Sequence, residues 1–135
     1  QAYQLFQHAI EAIAIQCPDR LEDRVIMAVD HIIDELMENR DLLHLIRKNL
    51  SAGLFEPKLV RLLEAQNSEF IKVFEQDCKA SNIPISNPQL MLFMIIELAG
   101  SSCYNCILHG QPMDIMEYKP YLYKAIKAML HMEEL

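Results

Sequence analysis

Residues 87–110 read NPQLMLFMIIELAGSSCYNCILHG and predict one long helix with sharply defined ends. Asn87 can accept a backbone hydrogen bond as the N-cap, and Pro88 loses nothing at the first helical position because its missing N–H would have no helical partner there. Gly110 suits the left-handed residue that ends many helices, and Pro112 follows it. We therefore expect a helix that begins after Asn87 and ends before Gly110.

This helix is apolar nearly all the way round in its first half, so we expect it to be buried on two sides. At about 100° per residue, its residues divide into two faces. The wholly apolar face is expected to form the core of this domain and contains Leu92, Ile95, Ile96, Ala99, Cys103, Cys106 and Ile107. The opposite face, called the mixed face below, is expected to meet another surface and contains Leu90, Phe93, Met94, Glu97, Ser101, Tyr104, Asn105 and Leu108.

Length and composition favour one helix-rich domain over residues 1–135, because 52% of the 135 residues are hydrophobic and only 3 are glycine. The net charge is −7 and the 12 Lys and Arg residues are scattered, which argues against direct nucleic-acid binding. The 4 cysteines without a signal-like N-terminus favour a reducing cytoplasm. The longest apolar run, Leu90–Ile96, is too short to span a bilayer. Because a helical pattern is already under way at Gln1, we expect that an N-terminal part is missing.

Helical spacing of apolar residues predicts the rest of the chain as well. The further helices are expected over Ala2–Gln16, from Asp19 to about Asn39, Leu42–Ser51, from Pro57 to about Lys79, and from Lys119 to about Met132. The last helix is placed after Asp114 and Glu117 because Pro120 disfavours a regular helix before it. Nothing predicts a strand, so the expected fold is an all-α helical bundle of about six helices.

The second helix is expected to begin with a capping box formed by Asp19 and Glu22. Its solvated face is predicted to hold Arg24, Asp30, Asp34 and Glu38, with Met27 and His31 exposed on the same polar side.

The fourth helix in sequence order carries two amides, Gln66 and Asn67, on its apolar side, followed by Phe70 and Phe74. A buried amide without a partner costs on the order of 1–3 kcal/mol. As a group, these residues predict an apolar pocket that orients a small ligand through a few polar contacts. Taken singly, each fits slightly better with the alternative, in which the aromatics are plain core and the amides bond to the end of a neighbouring helix.

Gly100 lies in the middle of the long helix and costs about 1 kcal/mol of helix propensity, which a closely packed partner helix can offset. The mixed face of that helix and the Tyr121, Ala125 and Ala128 side of the last helix could therefore form an isologous four-helix bundle between two copies of the chain. The alternative is an ordinary amphipathic surface.

Cys103, Cys106 and His109 have the spacing C-x-x-C-x-x-H and could offer ligands to a metal, but buried free cysteines are also common in cores. No metal site is predicted. No nucleophile motif or catalytic constellation stands out, so we expect neither an enzyme nor a cofactor.

The order of parts resembles the C-terminal ligand-binding and dimerisation domain of the TetR family of transcriptional repressors. A long helix is followed by one that ends in ENRDLL (Glu38–Leu43), where many relatives have an acid-Asn-Pro-acid-Leu turn, and then by a short helix, a long one, an Asn-Pro-start helix and a final helix. Arg40 stands where proline is frequent in the family. The N-terminal helix-turn-helix that would carry the family signature is not in this sequence.

The resemblance implies a homodimer that binds a small apolar or aromatic effector and reaches operator DNA only through the absent N-terminal domain. The connecting helix would be Ala2–Gln16, and ligand binding would shift it. The implied ligand-binding residues are Phe6, Ile10, Gln66, Asn67, Phe70, Phe74, Met94, Ala99 and Cys103. The implied dimer interface, made by the last two long helices, contains Phe93, Glu97, Ser101, Tyr104, Leu108, Tyr121 and Ala125.

Two other functions fit the same sequence. One is a helical protein–protein interaction module without a ligand, in which the mixed face docks a different partner. The other is a thiol- or metal-responsive sensor that uses Cys103, Cys106 and His109.

Overall fold

The computed structural model describes the backbone of residues 2–41, 43 and 57–134 and the side chains of residues 5–41, 43 and 69–134. Within these ranges the chain forms helices and no strand, which confirms the all-α prediction. The helices are α1 (Ala2–Gln16), α2 (Leu21–Glu38), α3 (Pro57–Ala80), α4 (Pro88–His109) and α5 (Ile115–Leu130), followed by a 3-10 turn (Met132–Glu134). Most of the predicted short helix over 42–51 lies outside the described residues, and its predicted start after Asp41 is late, because residues 40 and 41 are already helical.

Helix α4 has the predicted ends. The Asn87 side chain accepts a hydrogen bond from the Leu90 N–H at 3.1 Å. Gly110 is left-handed, with φ of 62°, and its N–H donates to the Cys106 carbonyl at 3.2 Å. Both signals depend only on neighbouring residues, which is why the sequence reveals them.

The predicted capping box at the start of α2 is wrong. The N-cap is Arg20, whose side chain makes no capping bond, and the helix begins at Leu21. A capping box joins the N-cap to the third helical residue, and with Arg20 as N-cap that residue is Asp23. Asp19 and Glu22 therefore do not occupy the two positions of a capping box. The Glu22 carboxylate instead contacts His131 at 2.8 Å, a partner that local spacing cannot reveal.

The predicted start of α5 is also wrong. The helix begins at Ile115, and Asp114 caps it by accepting from the Met116 N–H at 3.0 Å. Pro120 lies inside the helix and removes one backbone hydrogen bond. Burial of Ile115 and ion pairs made by Lys119 on the same two turns offset that loss.

Helix α2 occupies the centre of the bundle, because it packs against α1, α4 and α5. Helix α3 packs against α1 and α4, and α4 packs against α5. The apolar face of α4 is buried as predicted, with Ala99 half-buried. On the mixed face, Leu90, Phe93, Glu97, Ser101 and Asn105 are exposed.

On the predicted solvated face of α2, Asp34 and Glu38 are exposed as predicted and Arg24 and Asp30 are half-buried, and three of the four charged residues also pair with other helices. Arg24 bonds to Asp77 of α3 at 2.8 Å. Lys119 of α5 lies 2.9 Å from both Asp30 and Asp34. Met27 and His31, predicted to be exposed, are half-buried.

By length and composition, α4 could cross a membrane, although its longest uninterrupted apolar run is short. In this structure 44% of its most apolar window is buried against the rest of the bundle. A core helix of a soluble protein passes the same test, so this feature is weak support for a membrane span.

Candidate functional site

An apolar cavity of about 50 Å³, called the inner cavity here, lies between α1, α2, α3 and α4. Three of the predicted ligand-binding residues, Ile10, Phe70 and Phe74, line it. Most of the remaining wall comes from α2, whose apolar stripe is predicted only as core, and from α4, whose apolar face is predicted as core with Ala99 and Cys103 in the pocket. The full lining is Ile10, Ile13, Arg24, Val25, Ala28, Val29, Ile32, Phe70, Val73, Phe74, Asp77, Leu92, Ile95 and Ile96.

A second apolar cavity of about 30 Å³ lies directly beside the first. It is lined by three further predicted residues, Phe6, Ala99 and Cys103. The two cavities share the side chains Val29, Ile32, Ile95 and Ile96 as a common wall. The Phe6 and Phe70 rings, one from each cavity, pack with their centroids 4.8 Å apart. Six of the nine predicted ligand-binding residues therefore line one of two adjoining apolar spaces.

The remaining three predicted residues have different outcomes. Met94 is half-buried beside the core and lines neither of the two cavities. Met94 belongs to the mixed face of α4, whereas the α4 residues that line the two cavities come, apart from Gly100, from its apolar face, which explains the miss. The side chains of Gln66 and Asn67 lie outside the described residues.

An open polar groove of about 670 Å³ lies at the end of the bundle where the α1–α2 loop, the α3–α4 loop and the C-terminal turn meet. Two of its residues, Arg24 and Asp77, also line the inner cavity. This pair, called the boundary ion pair below, separates the groove from the apolar space. The full lining of the groove is Pro18, Asp19, Arg20, Leu21, Glu22, Arg24, Asp77, Ala80, Ser81, Asn82, Ile83, His131 and Glu134.

The opposite side of the groove is held by an ionic cluster. His131 lies 2.8 Å from both Glu22 and Glu134, and Arg20 bonds to Glu22 at 3.1 Å. The hydrogen bond from His131, with help from Arg20, lowers the pKa of Glu22 to about 2. The same contacts with Glu22 and Glu134 raise the pKa of His131. The C-terminal turn is thereby tied to the start of α2.

A second polar cluster joins α2 to α5 away from the groove. The Tyr123 hydroxyl donates to the Asp30 carboxylate, which also contacts Lys119. Burial opposes the ionisation of Asp30, but these hydrogen bonds outweigh it and lower its pKa. Burial and the bond to Asp30 raise the pKa of Tyr123, so the phenol stays protonated. This cluster fixes one side of α5 and leaves the other side open.

The predicted dimer face is accessible in the single chain. Phe93, Glu97, Ser101, Tyr121 and Ala125 are exposed, and Tyr104 and Leu108 are half-buried. Its large apolar side chains include Phe93 at 40% and Tyr121 at 63% exposure. Leu90 and Met116 extend the same pair of helices with further exposed apolar surface.

The cysteine pair of α4 is buried, with both Cys103 and Cys106 at 1% exposure, while His109 is exposed. Burial raises the pKa of Cys103 to about 12 and also raises that of Cys106, so both thiols are protonated and unreactive at neutral pH. Within the described ranges, no three His, Cys, Asp or Glu side chains are placed to hold a metal ion.

Comparison with known proteins gives no relative for this arrangement. No family model, no curated protein and no solved structure matches the chain.

Proposed function

We propose that the chain is the effector-binding and dimerisation domain of a bacterial TetR-like transcriptional regulator in the cytoplasm. The observation that carries the proposal is the pair of adjoining apolar cavities bordered by α1, α2 and α4, the larger one also by α3, with phenylalanine in the wall of each. Apolar space with aromatic side chains in its wall and a few polar groups at one edge is typical of small-molecule sites.

The position of α1 supports a means of transmission. Phe6 and Ile10 of α1 line different cavities, so a ligand that enlarges either space must push against α1. In the proposed regulator, α1 connects to a separate N-terminal DNA-binding domain that is outside this sequence. A ligand that favours one position of α1 changes the spacing of two such domains and releases operator DNA.

The α4–α5 pair supplies the proposed dimer interface. The short connection 110–114 makes these helices antiparallel neighbours, and their outer sides carry exposed apolar residues next to small ones. Ser101 and Ala125 permit close approach of a partner helix, while Phe93 and Tyr121 supply buried area on association. Two copies packed through this face give an isologous four-helix bundle.

Ligand binding is tested by a thermal-shift screen of small apolar and aromatic compounds against the purified chain. A binder raises the melting temperature in proportion to its concentration relative to its Kd. Filling the inner cavity by Ala28→Leu should remove the shift, whereas Lys72→Ala at an exposed position of α3 should not. A screen without any stabilising compound would count against the proposal.

Dimerisation is tested by analytical ultracentrifugation. Tyr104→Ala and Ala125→Glu should each convert the dimer into monomers, because the first removes contact area and the second places like charges together across the two-fold axis. Lys72→Ala is the matched surface control. A wild-type monomer, or a dimer mass that neither substitution changes, would contradict the proposed interface.

The small volume of the cavities favours a second candidate, a helical protein–protein interaction module without a ligand. Cavities of about 50 and about 30 Å³ are far below the roughly 300–1,000 Å³ of typical ligand pockets. In that case they are packing defects and the mixed face of α4 docks a different protein. The two candidates differ in the thermal-shift screen, since only the first binds small molecules.

A further inference from the structure

We propose that the boundary ion pair is the point of access to the inner cavity and that the effector is a lipophilic cation, whose apolar body enters the cavity while its cationic head replaces Arg24 at the Asp77 carboxylate. This inference rests on the proposed function, since it names the chemical class of the effector and the route by which it arrives.

The geometry places this pair between two different environments. Arg24 and Asp77 each line both the polar groove and the inner cavity, and their side chains bond at 2.8 Å. Both remain partly open to solvent, with side-chain exposures of 25% and 18%. A molecule in the groove can therefore reach the pair, and opening the pair exposes the apolar space behind it.

The bonds of the two residues are unequal. Arg24 also donates to the Pro18 carbonyl at 3.2 Å, so it keeps a partner when Asp77 is taken away. Among the described side chains, Arg24 is the one that bonds to the Asp77 carboxylate. An anionic ligand would bind Arg24 and leave that carboxylate with neither a cation nor a side-chain hydrogen bond, whereas a cationic ligand keeps a positive charge beside Asp77 and leaves Arg24 with its hydrogen bond to the Pro18 carbonyl. Since an orphaned charge is costly at a partly buried site, the exchange favours a cation.

The charge of the groove agrees with this choice. Its lining contains four acidic residues and two arginines. The acids are Asp19, Glu22, Asp77 and Glu134, and the arginines are Arg20 and Arg24. When His131 is protonated, the lining holds four acids against three cations, so its net charge is still negative. The whole chain carries −7, so the long-range field also attracts cations.

The size of the apolar space limits the body of the ligand. A cavity of about 150 Å³ holds one benzene molecule, and the inner cavity has about 50 Å³. It is smaller than the space that benzene needs, so a narrow alkyl chain enters it with its first few carbons only, and a longer insertion requires the lining side chains to rearrange. A longer chain can continue into the second cavity if the common wall of Val29, Ile32, Ile95 and Ile96 rearranges.

Isothermal titration calorimetry of the purified chain with three matched probes tests the inference. The probes are octyltrimethylammonium, octanoate and 1-octanol, used below micelle-forming concentrations, because they share one alkyl chain and differ in head-group charge. We expect octyltrimethylammonium to bind at least about tenfold more tightly than octanoate, a difference that corresponds to one modest charge interaction. 1-Octanol should bind with intermediate affinity.

Three variants locate the binding site. Asp77→Asn keeps the shape of the side chain and should weaken binding of octyltrimethylammonium about tenfold while leaving 1-octanol unchanged. Asp23→Asn removes an exposed acid of α2 that lines neither the groove nor the inner cavity, and it should change neither probe by more than about twofold. Ala28→Leu fills the inner cavity and should weaken all three probes. If circular dichroism shows that Ala28→Leu does not fold, Val73→Leu fills the same cavity from a half-buried position.

The outcomes separate this inference from the proposed function. Equal binding of all three probes, weakened by Ala28→Leu, would overturn the cationic head while supporting an apolar effector site. Binding of octyltrimethylammonium that Asp77→Asn leaves unchanged would overturn the role of the boundary ion pair. Failure of every probe to bind would overturn both the inference and the effector-binding part of the proposed function.

Discussion

The sequence predicts a solvated polar face on α2 and a contact surface on the mixed face of α4, yet in the structure the first contacts other helices and much of the second is exposed. On α2, Arg24, Asp30 and Asp34 are each paired with a charge on another helix. On α4, the mixed face remains largely exposed. A wheel shows which residues share a side of a helix, but a second helix with complementary charges can cover a polar side as well as an apolar one. We therefore expect substitutions at the paired charges of α2 to change the free energy of unfolding more than substitutions on the exposed surface do.

The largest effect is expected at the ion pairs between α2 and α5. Lys119→Ala removes a side chain that is only 11% exposed and leaves Asp30 and Asp34 without their cation. We expect a loss of about 2 kcal/mol in the free energy of unfolding, measured by urea denaturation. Lys124→Ala, at an exposed position of the same helix, is the control. Equal effects of the two substitutions would mean that α5 is not anchored through Lys119.

The next effect is expected at the boundary ion pair. A double-mutant cycle with Arg24→Met and Asp77→Asn measures its coupling energy in urea denaturation. We expect about 1 kcal/mol, because the pair is well aligned at 2.8 Å but keeps some contact with solvent. A coupling energy near zero would mean that the polar side of α2 contributes no more to stability than an exposed face does.

A smaller, pH-dependent effect is expected where Glu22 meets His131. The bond from His131 lowers the pKa of Glu22 from 4.5 to about 2, so its stabilising contribution is present above pH 4.5 and is lost as the pH falls towards 2. Bonds to Glu22 and Glu134 raise the pKa of His131 above 6.5, so its contribution is full below pH 6.5 and is lost as the pH rises through the raised value.

The stability difference between wild type and Glu22→Gln should therefore be greatest between pH 4.5 and 6.5. Urea denaturation across the pH range measures it. Asp23→Asn, at an exposed neighbouring position of α2, is the control and should give a smaller, flatter difference. A flat curve for Glu22→Gln would contradict the assigned contact.

The smallest effect on a single chain is expected on the exposed surface of α5. Tyr121→Ser should change the free energy of unfolding of the isolated chain by no more than about 0.5 kcal/mol, since the ring is 63% exposed. In a dimer through this face, the same substitution should reduce the dependence of stability on protein concentration. Thermal melts over a hundredfold concentration range separate these two contributions.

The sequence predicts those features that neighbouring residues determine. Asn87 and Gly110 end α4 as expected, because capping depends on residues within one turn. The grouping of Ile10, Phe70 and Phe74 follows from apolar stripes that must face a common core. The boundary ion pair could not be predicted, because its members lie 53 positions apart and either one alone resembles a solvated charge.

The errors have the same origin. The local cost of Pro120 predicts that the first turns of α5 are not helical, but that cost is offset by Lys119, whose partner Asp34 lies 85 positions away. Asp19 has a suitable side chain for a cap, yet the chain places Arg20 there while Glu22 turns towards His131. In both cases a distant contact outweighed a local preference.

The central position of α2 also has a consequence for how the chain folds. Helices α1 and α2 are joined by residues 17–20 and pack against each other, so their contact closes a short loop and can form early. The contact between Lys119 and Asp34 closes a loop of 85 residues, whose entropic cost is higher. We therefore expect α5 to dock late, onto a surface that α1 and α2 have already formed.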